Sequence, residues 1–533
     1  MYLNPDNKLF ADSCRQKYFV DKTALIGVVE ELYDTYGARF CVSRPRRFGK
    51  SMASDMLAAF YSKGCDSRSL FADLKIAQRK DWDCHLNRTN VIKVDFGGLY
   101  STAIDRESVL PNLERAICNE IGAAYSTCGI GKTDRLADVV GKVHEQTGET
   151  FGFIFDEYDT VVRLSIGAKA EGDYIDFLNG LFKNTNIANG ISFCYLTGIL
   201  PIVKETFQSK LNNFRQYTVT MPMETAQYFG FTEEETRAIC AQADIDPEKC
   251  LQWYDGYNMG RGVRICNPQS VIMAAQTGEF ASYWSNTGSY ETIKAYIDSN
   301  FSNSRESIVD MLADKSVRVN VNTYLGTVSD FSSLSAILTY LIHLGYLTYD
   351  RETKECKIPN EEIREEWITA IESSKGYEKI VEMIYESDQL LAHTIKGDGK
   401  YVAESLRKAH EEASTPLTYN NESSLQSAMA LAYMSARSHY TAIKELPAGE
   451  GFADMVLIPH TPSTNRPAII FEFKVEGNST SAESCKQRVS EALKQISNRR
   501  YANALELYKD NLLFVGIAYN KKSKEHVCEI RKL

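Results

Sequence analysis

The run from Arg39 to Tyr61 narrows the fold of this chain more than any other feature. Five strand-forming residues, Arg39 to Ser43 (RFCVS), lead into the tight loop Arg44-Pro45-Arg46-Arg47-Phe48-Gly49, and Lys50-Ser51 opens a helical pattern that reaches Tyr61. A strand, a short loop and a helix N-terminus focus unpaired backbone N–H groups and the positive end of the helix dipole on one point, which suits a di- or triphosphate. Lys50 is placed to reach the outer phosphates, and the Ser51 hydroxyl to take a position on Mg²⁺. The usual spacing of such a loop has glycine at position 44, where this chain has Arg44. Gly49-Lys50-Ser51 is therefore a thin signal by itself and needs partners elsewhere.

Two partners follow in the expected order. The apolar run Phe151 to Phe155 ends in Asp156-Glu157, where Asp156 is expected to hold Mg²⁺ through water and Glu157 to polarise the attacking water. The run Ile191 to Thr197 (ISFCYLT) would present Thr197 to the γ-phosphate. With Asn90 to Phe96 (NVIKVDF), these runs alternate with helical patterns such as Ser51 to Tyr61 and Asp173 to Lys183. That alternation predicts an α/β fold with a parallel sheet and helices on both faces. The competing reading is a basic loop and an acidic strand end that never meet. Arg44, Arg46 and Arg47 either neutralise phosphate charge, reach a neighbouring subunit's nucleotide, or pair with carboxylates. Asp21 and Lys22 either line the entry to the site or, for Asp21, cap a helix.

Beyond residue 225 the pattern turns helical, with Thr232 as N-cap and acidic residues in the following turn, which predicts a lid. Ser332 to Leu344, Gly345 and two short β-like pieces read as a winged helix. That helix is largely apolar (Ile337, Leu338, Leu341, Ile342), which favours packing over reading a groove. After the linker STPLTYNNESS comes a block of helices and strands with a second constellation. Asp454 sits near the start of the strand Phe452 to Pro459. Eighteen positions later Glu472 and Lys474 lie two apart on the strand Ala468 to Lys474, so their side chains leave one face. Charges within a buried strand are costly unless paired or bound to metal. Two such carboxylates can share Mg²⁺ or Mn²⁺, with Lys474 orienting the attacking water. Asp, Glu and Lys at this spacing are common by chance, and an internal ion-pair cluster is the competing reading.

The strings Tyr18-Phe-Val-Asp-Lys-Thr23, Ser43-Arg-Pro-Arg-Arg-Phe-Gly-Lys-Ser51, Phe155-Asp-Glu-Tyr-Asp159, Thr197-Gly198, Trp253-Tyr-Asp-Gly-Tyr257, Asn267-Pro268 and Tyr283-Trp284 resemble those of the AAA-ATPase-like proteins of bacteria and archaea that carry a C-terminal PD-(D/E)XK nuclease domain. In that family Arg44 in place of glycine is expected. The resemblance implies a P-loop NTPase core with a parallel sheet at 1–225, a helical lid at 226–315, a winged-helix segment at 316–375, and linker helices with a restriction-endonuclease-like α/β domain at 376–533. It implies ATP as the nucleotide, Mg²⁺ or Mn²⁺ as the metal, and a setting in genome defence or mobile-element biology. Gln495, on a basic helix expected at Ser481 to Tyr508, resembles the position that follows the nuclease strand. Glu422, opening a helix, sits where such nucleases often add an acid. The rival function is an ATP-dependent switch or scaffold whose nuclease fold is inactive.

Composition adjusts this reading. Hydrophobic residues make up 44% and charged residues 24%, ordinary globular usage. The net charge of −10 weighs against coating nucleic acid, but residues 481–533 hold eleven Lys and Arg against six Asp and Glu, a local +5 beside the second constellation. Nucleic acid, DNA in the first instance, is thus the expected partner, with homo-oligomerisation left open. The N-terminus has no basic and apolar leader pattern, no long apolar run occurs, and the thirteen cysteines form no Cys-x-x-Cys pair. A cytoplasmic protein without a membrane partner is expected. No His-Glu-x-x-His or Gly-x-Ser-x-Gly motif offers another chemistry.

Overall fold

The computed structural model describes residues 1–532 except 165–167, 203–211, 285–289, 299–303, 324–332, 414–421, 449–450, 461–465, 478–480, 499–504 and 509–510. The chain forms two compact units, Met1–Ser289 with Arg318–Glu366, and Tyr290–Val317 with Trp367–Leu533. The segment Tyr290–Val317, grouped with the lid on sequence pattern, packs in the second unit. There Ser427 donates to Asp310 at 2.8 Å and Lys444 to the Ala313 carbonyl, tying down helix Ser304–Leu312.

The first unit is built on strands β1 (Arg39–Ser43), β2 (Asn90–Asp95), β3 (Phe151–Asp156), β4 (Ile191–Gly198) and β5 (Arg215–Tyr217). They pair in the order β2-β3-β4-β1-β5, every pair parallel. Each residue of β1, β3 and β4 is buried, as expected of a parallel sheet covered on both sides. Alternation does the sorting: Phe153 and Phe155 pack with helices Val109–Ala124, Leu136–Thr147 and Ala168–Phe182, whereas Ile154 packs with Ala24–Glu30 and Lys50–Tyr61. The edge strand β5 was not anticipated, because Arg-Gln-Tyr carries no apolar run. Phe96, expected in β2, instead opens helix Phe96–Thr102, because the Asp95 carboxylate caps it by accepting from the Gly98 amide at 3.0 Å.

The stretch expected to form a lid opens on three helices: Glu233–Ala243, whose Thr232 and Glu235 form a capping box, then Pro247–Tyr254 and Pro268–Thr277. A small antiparallel sheet in the order Phe231–Thr232, Arg264–Cys266, Tyr257–Asn258 accompanies them, its strands too short to leave an alternating pattern in the sequence. Helix Leu334–Leu344 ends at Gly345 with φ +91°, and an antiparallel hairpin of Thr348–Asp350 and Glu355–Lys357 follows. Every side chain from Ala336 to His343 is buried, so this helix is a packing element.

One turn between helices Pro247–Tyr254 and Pro268–Thr277 tolerates only glycine. Gly256, inside Trp253-Tyr-Asp-Gly-Tyr257, has φ +107°, and a Cβ there would lie 2.0 Å from the Pro359 carbonyl oxygen. Backbone, not a flexible side chain, blocks that space. Gly256→Ala should therefore lower stability by about 3 kcal/mol or more, read as a lowered midpoint in denaturant melts. An unchanged midpoint would show that the turn relaxes freely.

The second unit centres on a sheet of β6 (Tyr440–Ala448), β7 (Gly451–Pro459), β8 (Ala468–Glu476), β9 (Leu512–Asn520) and β10 (His526–Lys532), in that order. Only β8 and β9 run parallel; the other neighbours are antiparallel. One face (Leu457, Ile469, Phe471, Val515) packs with helices Ser387–Lys396, Gly399–Ala413 and Glu422–Ala432. The other face (Val456, Ile470, Phe514) packs with helix Ala482–Asn498. That helix is described from Ala482 to Asn498; residues 499–504, among them Arg499, Arg500 and Tyr501, on which the expected extension toward Tyr508 falls, lie outside the described residues, and Glu506–Tyr508 is a 3₁₀ turn. The linker 414–421 is likewise outside them. No disulfide joins any of the thirteen cysteines, and no helix among the described residues is long and apolar enough to cross a membrane.

Candidate nucleotide and metal sites

Sheet order brings the first constellation together. β4 lies between β1 and β3, so Thr197 stands in register with Val42, one residue before the loop strand ends, and with Asp156. Gly49 has φ +85° and caps helix Lys50–Tyr61 in the left-handed region, turning the chain from loop to helix. Lys50 is 8% exposed and its Nζ donates to the Pro45 carbonyl at 2.7 Å. Burial pushes its pKa down to about 8, partly offset by Asp156, Asp159 and Glu157. Burial also raises the Asp156 carboxyl above its ordinary value. The Ser51 hydroxyl, which hydrogen-bonds it, and Lys50 oppose that shift, whereas Asp95 on the adjacent strand adds to it.

These residues fit a nucleotide with its metal. A desolvated ammonium on the loop calls for an anion, and Ser51 and Asp156, already in contact, are the oxygen donors a hard cation takes. The Thr197 Oγ1 is fully buried without a hydrogen-bond partner, a costly state that a ligand oxygen or water would relieve. Beside Gly49 an apolar recess lined by Phe19, Val20, Met52, Met56 and Tyr228 offers a flat ring somewhere to go.

Glu157 has φ +50°. Its Oε2 accepts from Arg163 at 2.9 Å, and a Cβ at Gly97 would come within 2.3 Å of that oxygen, so Gly97 makes room for it. Asp159, the last residue of Phe155-Asp-Glu-Tyr-Asp159, sets the end of β4 by accepting from the Ile199 and Leu200 amides at 3.1 and 2.9 Å. The (i, i+4) spacing of Asp159 and Arg163, 3.6 Å apart, was the available signal.

The three arginines divide. Arg44 is fully buried and faces away from Lys50's partners: it donates to the Ser43 and Tyr217 carbonyls and to Thr225, and stacks on Phe229. Its guanidinium braces the loop from behind, which explains how arginine replaces glycine at this position. Arg47, at φ +67°, donates to the Tyr283 carbonyl at 2.5 Å. The Tyr283 amide in turn donates to Glu362, which also accepts from Ser270. Burial raises the Glu362 carboxyl to about 7, with Arg47 opposing that rise. Arg46 is half-buried and lies near Tyr340. Phe48 packs edge-on against Tyr257 at 5.0 Å, Tyr257 donates to the Gly345 carbonyl at 3.1 Å, and a Cβ at Gly345 would lie 2.8 Å from Pro45. The family strings at 253–257 and 283–284 thus converge on the loop. Lys22 pairs with Glu235 of helix Glu233–Ala243 at 2.5 Å, and Asp21 does not cap: its carboxylate accepts from the Thr23 and Lys75 amides at 2.8 and 2.6 Å, while helix Ala24–Glu30 has no side-chain cap.

In the second unit, alternation places Asp454 with Val456, and Glu472 and Lys474 with Ile470, on the face that helix Ala482–Asn498 covers. The β7–β8 register runs Leu457↔Ile469, Val456↔Ile470, Met455↔Phe471, and its next step sets Asp454 opposite Glu472. There the backbone ladder stops and the Asp454 Oδ2 accepts from the Phe473 amide at 2.6 Å. Glu472 is 2% exposed; its Oε1 accepts from Lys474 at 3.1 Å and from Gln495. Asp454, Glu472, Lys474 and Gln495 are therefore gathered at one point, with two carboxylates to hold a divalent cation. Glu422 is the first residue of helix Glu422–Ala432, and its side chain lies outside what the structure describes.

Residues 11–208 match the family model described as Predicted AAA-ATPase, and residues 420–529 match that of the PD-(D/E)XK nuclease superfamily. A curated protein of Azotobacter chroococcum mcd 1, described as an uncharacterized protein in the vnfD 5′ region, is 28% identical over 279 residues, 51% of each chain. The chain spans about half the length of the curated relative it matches.

Proposed function

We propose that this chain, which joins an AAA-ATPase-like domain to a PD-(D/E)XK nuclease-superfamily domain, binds and hydrolyses ATP and thereby gates metal-dependent cleavage of phosphodiester bonds in nucleic acid, DNA in the first instance. The observation that carries the reading is the presence of both constellations in one chain, with Lys50 and Asp156 buried in the first and Glu472 buried against the partly exposed Lys474 in the second. At the loop, Lys50 takes the outer phosphates, Ser51 and Asp156 hold Mg²⁺, Thr197 donates to the γ-phosphate and Glu157 orients the attacking water once Arg163 releases it. In the second unit, Asp454 and Glu472 hold Mg²⁺ or Mn²⁺, which when bound polarises the scissile phosphate and lowers the pKa of a bound water. Lys474 steadies the water and offsets charge building on phosphorus, and Gln495 fixes the Glu472 carboxylate. The half-buried arginine Arg47, tied through Tyr283 to Glu362, supports the gating part, because it gives the loop a hydrogen-bonded link into the lid.

The competing reading, an ATP-dependent scaffold, draws on the same geometry: Glu472 already meets Lys474 and Gln495, as an internal ion pair would. The test is a cleavage assay on labelled single- and double-stranded DNA and RNA, with Mg²⁺ or Mn²⁺, with and without ATP or a non-hydrolysable analogue. Metal-dependent cleavage that changes at least about tenfold with nucleotide is expected. Folded, ATP-binding protein that cuts none of these substrates would leave the scaffold.

A further inference from the structure

We infer that Glu30, Cys84 and His85 form a site for a divalent transition metal of the zinc class, at the end of helix Lys50–Tyr61 remote from Lys50. One ligand atom from each, the Glu30 Oε2, Cys84 Sγ and His85 Nδ1, lie within 4.8 Å of one another. The pairwise separations are 2.9 Å from Oε2 to Nδ1, 3.3 Å from Nδ1 to Sγ and 3.5 Å from Sγ to Oε2. Ligands at zinc bond lengths on a tetrahedral ion stand about 3.3–3.6 Å apart. Two of the three edges fit as they stand, and the third opens by about half an ångström.

The ligands come from separate pieces of chain that are already held. Glu30 is the last residue of helix Ala24–Glu30 and its side chain is 6% exposed; its other oxygen, Oε1, accepts from the Tyr61 hydroxyl at 2.7 Å. The His85 ring stacks on Tyr33 with centroids 3.9 Å apart. Such outer partners are what orient a carboxylate and an imidazole toward a metal. Without metal, Cys84 and His85 both turn to one carboxylate oxygen of Glu30. A cation between them displaces the Cys84 thiol proton to solvent, while His85 binds through Nδ1 and keeps its one N–H on Nε2. Burial and Glu30 together raise the Cys84 thiol pKa, a penalty on the thiolate that a bound dication reverses.

The donor set decides the class of ion. Thiolate, imidazole and carboxylate suit Zn²⁺ and its neighbours Co²⁺ and Ni²⁺; Mg²⁺ and Ca²⁺ take oxygen alone. Cys84 is exposed, so an ion can enter and a fourth position faces solvent. Helix Lys50–Tyr61 is twelve residues long, about 17 Å, so this metal is distinct from the one expected with nucleotide. Through the Tyr61 hydroxyl on Glu30 it would be tied to the far end of the helix that follows the phosphate loop.

Cobalt titration of the full chain, stripped with chelator under reducing conditions, tests the site. One Co²⁺ per chain should bind with a near-ultraviolet thiolate-to-cobalt band that Zn²⁺ abolishes. Cys84→Ser should lose the band while keeping the wild-type circular dichroism. His85→Ala should weaken binding at least about a hundredfold, and Tyr61→Phe, which only frees Glu30, about tenfold. Zn²⁺ should raise the wild-type melting temperature but not that of Cys84→Ser, and Lys50→Ala should leave the cobalt band unchanged. A wild-type protein without the band, or a band that persists in Cys84→Ser, would overturn the site.

Discussion

Glu472→Gln should abolish metal-dependent cleavage, by about three orders of magnitude, while leaving the metal-free protein at least as stable as the parent. The two halves of that outcome have one cause. Asp454 and Glu472 meet where the β7–β8 ladder gives way to side chains, so without a cation two carboxylates face one point, and Glu472 is almost fully buried. Neutralising one relieves like-charge repulsion and desolvation. Gln retains an acceptor for Lys474 but removes half the charge that binds a dication. Metal polarisation of the phosphate is worth several kcal/mol, and about 4 kcal/mol is three decades in rate. An internal ion pair behaves in the opposite way. Breaking a structural buried pair costs about 3–5 kcal/mol, because it strands the remaining charge. Thermal melts without metal, beside cleavage assays with Mn²⁺, therefore separate the readings: lost activity with kept stability marks a nuclease, and lost stability marks a scaffold. Asp454→Asn should behave in the same direction.

What was legible in the sequence follows from how local each signal is. The strands Arg39–Ser43, Phe151–Asp156 and Ile191–Gly198 are short apolar runs, and their buried, parallel setting needs nothing beyond composition and spacing. The placing of Thr197 beside Asp156 and the loop strand depends on the order β2-β3-β4-β1-β5, which no local pattern encodes. The edge strands β5, β6 and β10, unlike the apolar edge β2, escape the sequence pattern for a different reason. β6 carries Lys444, Glu445 and Pro447, β10 carries Glu529, Arg531 and Lys532, and β5 opens on an exposed arginine. Charge and proline protect an edge from unwanted pairing, and so erase the alternation by which strands are read. At the sites, Lys50, Asp156, Asp454 and Glu472 were visible because charge next to an apolar run is conspicuous. Arg44 shows the limit. Its charge looked available to phosphate, but its direction is set by Tyr217 and Thr225, more than 170 residues away along the chain. The cluster of Glu30 with Cys84 and His85 is hidden likewise, since a helix end and a loop 54 residues later meet only in the fold.

Lys50→Ala should weaken ATP binding by about 3 kcal/mol, roughly 150-fold, and should also remove a pH dependence that the parent shows above pH 8. Burial holds the Lys50 ammonium at about 8, against 10.5 in the unfolded chain, with Asp156, Asp159 and Glu157 opposing the shift and Arg163 adding to it. A base with a lowered folded pKa is a stability cost, present in full below pH 8 and relieved as pH climbs from about 8 to 10.5. Removing the side chain should therefore stabilise the nucleotide-free protein near pH 7, where the charged group costs most. Phosphate reverses the balance. The bound triphosphate restores the ammonium, so below pH 8 binding takes up no proton at this site, whereas above it each pH unit should weaken apparent affinity toward a limit of tenfold. Titration calorimetry in buffers of differing ionisation enthalpy, at pH 7 and pH 9, reads both effects. Proton uptake at pH 9 in the parent and none in Lys50→Ala is the expected pair of results. Equal affinity in the two proteins, or affinity that stays flat to pH 10 in the parent, would remove Lys50 from the phosphates and with it the nucleotide site at this loop.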